Sequence, residues 1–254
     1  MDNSKSITYV SNAGVLININ NKKILIDGLC ISKIRIYKST PVEIREKIIN
    51  GISPFDNIDI MLITHQHSDH FDANLICSFL EKSPNTTVIS TSKVVSGIRY
   101  CMSNTRSINL VELDPLFHCS ERIKINGVEI QAISMIHEGK DCVDVNNLAF
   151  LIEYGVKILH LGDAAPVKEN FESLNLKQHK IDALIVNFPY VSIPRAREII
   201  KNYTDTQKIL VVHLPYKELD KFNWIRVAKK SYERNKDSFI QTIFMGEIGM
   251  TINL

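Results

Sequence analysis

Four side chains able to bind a metal ion lie within six residues, directly after a short apolar segment. The stretch THQHSDH begins where a predicted buried strand over residues 59–64 ends. His65 and His67 are two residues apart, so in an extended chain both imidazoles project from the same side and can bind one ion. Asp69 and His70 follow where the chain turns into the next helix, so their side chains can reach a neighbouring ion. Imidazole and carboxylate ligands suit Zn²⁺, and also Mn²⁺ or Fe.

This stretch needs further ligands from elsewhere in the chain, because a zinc ion with an open position takes three protein ligands. Three candidates each come just after a predicted strand. They are His137 after residues 128–134, Asp163 after residues 156–161 and His213 after residues 209–212. Strand ends at one edge of a sheet bring together residues that are distant in sequence. The sequence therefore predicts a metal site at such an edge.

The apolar pattern predicts two halves of similar organisation. Each half begins with several consecutive strands and continues with strands that alternate with helices. A long connection over residues 28–58 carries one predicted helix at 41–50. Further helices are predicted at 73–82 and 216–230, among others. Two β-rich halves with helices predict an α/β fold of two packed sheets with the helices outside, in a single domain over residues 1–254.

The order of the candidate ligands resembles the pattern of the metallo-β-lactamase-fold hydrolases. In that family an HxHxDH motif is followed by a lone His, a lone Asp and a lone His, and all seven positions are present here. The resemblance extends over residues 6–213, and an early Asp after a strand, Asp27, also matches. It implies a four-layer αββα sandwich with the metal site at one edge of the two sheets.

The resemblance also implies two metal ions held by these side chains. The first ion takes His65, His67 and His137, the second takes Asp69, His70 and His213, and Asp163 bridges them. Two such ions share a water and lower its pKa towards neutrality, and the hydroxide then attacks a carbonyl carbon or a phosphorus. Asp69 would orient the nucleophile and manage its proton. Asp69 and Asp163 are therefore the predicted catalytic residues.

Individual positions indicate which branch of the family the sequence is most similar to. Asp163 stands where zinc β-lactamases with a cysteine ligand have Cys, and a bridging Asp is typical of glyoxalase, lactonase and phosphodiesterase relatives. Diiron relatives usually carry Glu at the position of His67, which favours zinc or manganese over iron. The opening ITYVSNAGVLININNKKILIDG is most similar to the branch that contains L-ascorbate-6-phosphate lactonase. That branch usually has a His near Asn12, so its substrate is not carried over.

Other residues are candidates for supporting roles. Asp27 and His160 are candidates for hydrogen bonds to metal ligands, with a strand-end cap and an ordinary buried histidine as the respective alternatives. Four residues are candidates for binding a phosphate or carboxylate of the substrate, with solvated surface residues as the alternative. They are Lys140, Tyr190, Arg195 and Arg197.

Composition limits the partners and the location. Lys and Arg number 30 against 28 Asp and Glu, so no basic excess supports nucleic-acid binding. The five cysteines are scattered without a CxxC pair, which argues against a disulfide framework or a zinc ribbon. The opening MDNSKSITYV has no secretory apolar run, and no stretch approaches the roughly 20 apolar residues of a membrane-spanning helix. We expect a cytoplasmic protein with a small-molecule substrate and no membrane partner; assembly into a homo-oligomer stays open.

The leading hypothesis is a hydrolase that uses two divalent metal ions, zinc before manganese or iron, on a small ester, lactone or phosphodiester. Two alternatives belong to other functional classes. One is a diiron redox or oxygen-sensing protein, and the other is a non-catalytic ligand-binding protein on the same fold. The complete set of seven ligands ranks the non-catalytic alternative last, because degenerate relatives usually lose metal ligands.

Overall fold

The computed structural model describes residues 5–102, 108–238 and 240–254. The chain divides into two compact units. Unit 1 runs to Asp114 and includes Glu247–Leu254, and unit 2 is Pro115–Gly246. The single domain expected over residues 1–254 stays a prediction.

Unit 1 contains a seven-stranded mixed sheet with the order β14-β1-β2-β3-β4-β5-β6. Numbered along the chain, its strands are β1 (Lys5–Ser11), β2 (Gly14–Ile19), β3 (Lys22–Ile26), β4 (Ile60–Leu62), β5 (Thr87–Ser90), β6 (Asn109–Glu112) and β14 (Thr251–Asn253). The first three strands and β14 pair antiparallel, whereas β3 to β6 pair in parallel. Asn20 and Asn21 both have positive φ, as the tight turn of the β2–β3 hairpin requires.

Three helices pack on the sheet of unit 1, namely α1 (Val42–Ile49), α2 (Ala73–Lys82) and α3 (Ser92–Cys101). Their apolar faces, with Phe79 and Ile98 among them, join strand residues such as Leu25 and Met61 in one buried cluster. The helical spacing of apolar residues in 73–82 therefore reflects burial on one face, and the predicted bounds of α2 are confirmed.

The side chain of Asp72 caps α2 by accepting a hydrogen bond from the backbone nitrogen of Leu75 at 3.1 Å. We expect Asp72→Ala to lower the free energy of unfolding by about 1 kcal/mol, because a backbone donor in the first turn loses its acceptor. Urea denaturation of metal-free protein measures this change. Asp72→Asn is the control, since an amide oxygen can still accept this bond; equal losses in both variants would contradict the capping role.

Unit 2 contains a second seven-stranded mixed sheet, with the order β13-β12-β11-β10-β9-β8-β7. Its strands are β7 (Ser120–Ile125), β8 (Val128–Ile136), β9 (Asn146–Glu153), β10 (Lys157–His160), β11 (Ile181–Asn187), β12 (Thr206–Val212) and β13 (Gln241–Phe244). Strands β7 to β10 pair antiparallel and β10 to β13 pair in parallel. The second sheet therefore repeats the antiparallel-then-parallel organisation of the first.

The helices of unit 2 are α4 (Pro189–Ser192), α5 (Pro194–Tyr203) and α6 (Trp224–Asn235). They pack on their sheet through a buried cluster that includes Val191, Ile199 and Ala228. The helix predicted at 216–230 is wrong at its start. Asn223 adopts a left-handed conformation with φ of 56°, and the carboxylate of Asp220 accepts hydrogen bonds from the first backbone nitrogens of α6. The helix therefore begins at Trp224.

The parallel part of each sheet places polar residues at the carboxyl ends of its strands. In unit 1, Asp27 follows β3 and the THQHSDH stretch comes after β4. In unit 2, Asp163 comes after β10, Asn187 ends β11 and His213 follows β12. The carboxyl ends of strands are where open α/β sheets bind ligands. None of the described helices has the length and apolar character that crossing a membrane requires.

Candidate metal centre

His65 and His67 point ligand atoms at a common position in unit 1. The Nε2 atom of His65 lies 3.1 Å from the Nδ1 atom of His67. Two ligands about 2.05 Å from one tetrahedral zinc ion lie roughly 3.3 Å apart, so the two nitrogens are spaced as ligands of one ion. The other ring nitrogen of His65, Nδ1, lies 2.9 Å from the hydroxyl of Thr64, which leaves Nε2 as the ligand atom.

Asp27 organises the segment that carries the histidines. Its carboxylate accepts hydrogen bonds from the backbone nitrogen of Thr64 at 2.9 Å and from the Thr64 hydroxyl at 2.7 Å. It also lies 2.8 Å from Nδ1 of His70. Because an ionised carboxylate can only accept, His70 carries its proton on Nδ1 and presents Nε2 to an ion. The structure thus places the predicted supporting residue Asp27 directly behind a predicted ligand.

Asp69 lies next to His70 in the same cluster. Its Oδ2 atom is 3.7 Å from Nε2 of His70, and both side chains are buried. Oδ2 also accepts a hydrogen bond from the side-chain amide of Asn12 at 2.9 Å. Asp69 and His70 therefore present an oxygen and a nitrogen side by side, as ligands of one ion do.

Asp163 lies between two histidines in unit 2. Its Oδ2 atom is 3.1 Å from Nε2 of His213 and 3.8 Å from Nε2 of His137. The Nδ1 atom of His137 contacts the backbone oxygen of Glu138, so His137 also presents Nε2. One carboxylate with a histidine nitrogen on either side is the arrangement that a bridging ligand needs.

The backbone around Asp163 is fixed by hydrogen bonds. Its nitrogen donates to the side-chain oxygen of Asn147 at 2.9 Å, and its carbonyl oxygen accepts from the nitrogen of Glu138 at 2.8 Å. His137 forms an isolated bridge with Ala164. These contacts tie the loop after β10 to the end of β8, so His137 and Asp163 hold their positions together.

Glu138 is a second acidic side chain beside this carboxylate. Burial, together with the nearby charge of Asp163, raises the pKa of Glu138 to about 7, although His213 and a hydrogen bond from Asn187 act in the opposite direction. The amide of Asn187 donates to Glu138 at 3.0 Å. Two acidic groups that repel each other in a poorly solvated place favour binding of a cation there.

Two site residues have a left-handed backbone conformation, which residues other than glycine adopt rarely. The φ angle of Asp27 is 46° and that of His213 is 57°. Conformations of this kind cost about 1–2 kcal/mol per residue and persist where the surrounding contacts fix them. Both residues turn the chain sharply at the end of a parallel strand, which directs their side chains.

The seven predicted ligands are divided between the two units. Unit 1 contains His65, His67, Asp69 and His70, and unit 2 contains His137, Asp163 and His213. The chemistry of these donors fits the implied metals, since nitrogen and carboxylate oxygen are the ligands of zinc, manganese and iron. Each unit therefore contains a cluster of side chains that could bind a metal ion.

Comparison with known proteins places this site in a family. The sequence model described as the β-lactamase superfamily domain matches residues 6–190. The chain belongs to the metallo-β-lactamase superfamily. The superfamily match covers the HxHxDH stretch, His137 and Asp163, whereas His213 lies beyond it.

One relative and two solved structures are similar to this chain. UPF0173 protein YddR of Bacillus subtilis is 33% identical over 75 residues, which are 26% of this chain and 29% of that protein. The structure of Igni18, a metallo hydrolase from Ignicoccus hospitalis, matches with a TM-score of 0.67 at 14% identity over 99% of this chain and 98% of its own. CmlA, a diiron β-hydroxylase from Streptomyces venezuelae, matches with a TM-score of 0.66 at 16% identity over all of this chain and 55% of CmlA. These likenesses confirm the predicted αββα fold class; the lactonase branch stays a prediction.

The other predicted residues of this superfamily member lie in different environments. His160 is fully buried at the end of β10, where its Nδ1 accepts a hydrogen bond from the nitrogen of Gly162, so it supports the turn that leads to Asp163. Lys140 is exposed in a short 3-10 helix, Lys140–Cys142. Tyr190 is fully buried, its hydroxyl donates to the carbonyl of Ala165 and burial raises its pKa, so its environment is that of a core residue.

Arg195 and Arg197 line a cleft of about 420 Å³ in unit 2. Its lining on β12 comes from Thr206 and Ile209, in the half of the strand away from His213. Arg197 also donates to the hydroxyl of Ser231 at 2.8 Å. A substrate-binding role for the two arginines stays a prediction.

Sequence reasoning missed several residues that hold the site in place. Thr64 directly precedes His65 and so belongs to the motif. Its hydrogen bonds to Asp27 depend on the pairing of β3 with β4, which the sequence does not show. Asn147 and Asn187 gave no signal, since a single Asn within or at the end of a strand has no diagnostic spacing. Asn12 was visible only as a departure from the branch pattern.

Proposed function

We propose that this chain is a hydrolase that depends on two divalent metal ions. In this proposal one ion is held by His65, His67 and His137 and the other by Asp69, His70 and His213, and Asp163 is a ligand of both. The observation that carries the proposal is the position of Asp163 Oδ2, 3.1 Å from Nε2 of His213 and 3.8 Å from Nε2 of His137. Membership of the superfamily and the likeness to Igni18, which is described as a metallo hydrolase, support it.

Two bound metal ions would supply a nucleophilic water of lowered pKa and would stabilise negative charge that develops on a substrate oxygen. The residues of the chain have separate tasks around them. The side-chain amide of Asn12 holds the carboxylate of Asp69. In this position Asp69 orients the attacking group and accepts its proton. Asp27 fixes the ring of His70 through Nδ1, and Thr64 does so for His65.

The proposed substrate is a small ester, lactone or phosphodiester. The formal net charge of +2 supports a small molecule over a polyanionic macromolecule. The proposed metal is zinc, with manganese next. His67 supports this order, because it stands where diiron relatives usually have Glu.

Elemental analysis combined with a substrate panel tests the proposal. We expect about two metal ions per chain after expression with added zinc or manganese, and turnover of at least one nitrophenyl ester, lactone or bis-nitrophenyl phosphate. Removing the metal with a chelator should abolish turnover and lower the unfolding midpoint, because an ion that binds only the native state stabilises it. Protein that binds no metal after metal-replete expression would refute the proposal.

A diiron redox protein is the second candidate, because the fold is also similar to that of the diiron β-hydroxylase CmlA. It predicts bound iron with a visible or spin-resonance signal and no turnover of the ester, lactone and phosphodiester panel. The same purified protein therefore separates the two functions.

A further inference from the structure

Asn12 is a buried polar residue that the metal ligand set does not include. It lies between β1 and β2 and is fully buried. Its Nδ2 atom donates to Oδ2 of Asp69 at 2.9 Å and to the backbone oxygen of Asp69 at 3.3 Å. Carboxylate and carbonyl oxygens only accept, so the NH₂ group must face Asp69 and the amide oxygen must face away from it.

The turn that carries Asn12 is fixed to the rest of the site. The Tyr9 hydroxyl donates to the backbone oxygen of Asn12 at 3.0 Å, and the Ser11 hydroxyl donates to the backbone oxygen of Asp27 at 3.4 Å. A Cβ atom at Gly14 would lie 2.6 Å from that same oxygen of Asp27, so the turn packs directly on the backbone of Asp27. Asn12 is thus anchored to the residue that orients His70.

The amide oxygen of Asn12 is an unsatisfied hydrogen-bond acceptor among the described residues. It is buried and accepts no hydrogen bond from the residues that the structure describes. A buried acceptor without a donor is costly, so this oxygen calls for a donor that the described chain does not supply.

We propose that Asn12 is a positioning residue, which holds the Asp69 carboxylate in the orientation for metal binding and proton acceptance, and whose amide oxygen accepts a hydrogen bond from an O–H group at the site. The proposal rests on the function proposed above and deepens it. It assigns the orientation of Asp69 to a side chain 57 residues away in the sequence.

Zinc titration against a chromophoric chelator tests Asn12 without relying on activity. In Asn12→Leu, which keeps the volume but has no polar group, we expect the dissociation constant of the more weakly bound zinc ion to rise ten- to a hundredfold. In the same variant kcat should fall, whereas KM should change less. Should Asn12→Leu not fold, Asn12→Ser gives the same test, because its hydroxyl is too short to reach Asp69.

The matched control is Thr86→Val. Thr86 is a buried polar residue of the same unit, and its hydroxyl donates to the carbonyl of Ile58 at 2.7 Å, at the amino ends of β4 and β5. This variant should bind both zinc ions as the wild type does. Unchanged zinc affinity and unchanged kcat in folded Asn12 variants would overturn the role of Asn12 alone. Wild-type protein that binds neither zinc nor manganese would overturn the proposed function, and the role of Asn12 with it.

Discussion

Asp163→Ala is expected to remove one of the two bound metal ions and to lower kcat/KM by at least about a hundredfold. Its carboxylate oxygen lies beside Nε2 of both His213 and His137, so the substitution removes a ligand from each proposed ion. Loss of a residue that only supports a ligand costs ten- to a hundredfold in metal affinity or activity, and loss of a shared ligand should exceed that. Elemental analysis and steady-state kinetics on the same preparation measure both effects.

Two further variants sharpen this experiment. Asp163→Asn keeps the shape of the side chain but removes its charge, so it should also lose metal while keeping the unfolding midpoint of the metal-free protein. Asp237→Ala changes an exposed carboxylate of the same unit and should leave metal content and activity unchanged. An Asp163→Ala protein that retains two metal ions and full activity would exclude the bridging role.

Asp27→Ala is expected to lower the free energy of unfolding of the metal-free protein by about 3–5 kcal/mol. The substitution leaves three donors without their acceptor in a buried place, namely the nitrogen and hydroxyl of Thr64 and Nδ1 of His70. Each buried group left unsatisfied costs about 1–3 kcal/mol, and alanine also tolerates the left-handed backbone poorly. Urea denaturation in the presence of a chelator measures the loss.

The same change should weaken metal binding about ten- to a hundredfold, because His70 loses the partner that fixes its tautomer. Asp59→Ala is the control. Asp59 is a carboxylate of the same unit that accepts bonds from Lys22 and from the backbone of Lys23. It should cost stability without changing metal affinity. If Asp27→Ala and Asp59→Ala lowered stability alike and neither affected metal binding, Asp27 would have only a structural role.

The ligands could be predicted from the sequence because four of them form one short motif and the other three follow it in a fixed order. His65, His67, Asp69 and His70 lie within six residues, and the order of His137, Asp163 and His213 after them is specific to the superfamily. The strands could be predicted because an apolar run or an Asn-containing turn is recognised from a few consecutive residues.

The residues that hold the ligands could not be predicted, because their contacts join distant parts of the chain. Asn12 meets Asp69 only when β1, β2, β3 and β4 lie side by side, and Asn147 meets Asp163 only across β9 and β10. The start of α6 was missed because an apolar pattern does not show where a carboxylate such as Asp220 will cap a helix.

The pairing of β14 with β1 has a consequence for the order in which the protein is made. Ser6 pairs with Asn253, so the sheet of unit 1 is completed by residues that the ribosome adds after the whole of unit 2. At usual translation rates this takes roughly ten seconds, during which β1 has an open edge. Open edges pair readily with other chains. The newly made chain is therefore open to mispairing at β1 until β14 has been made.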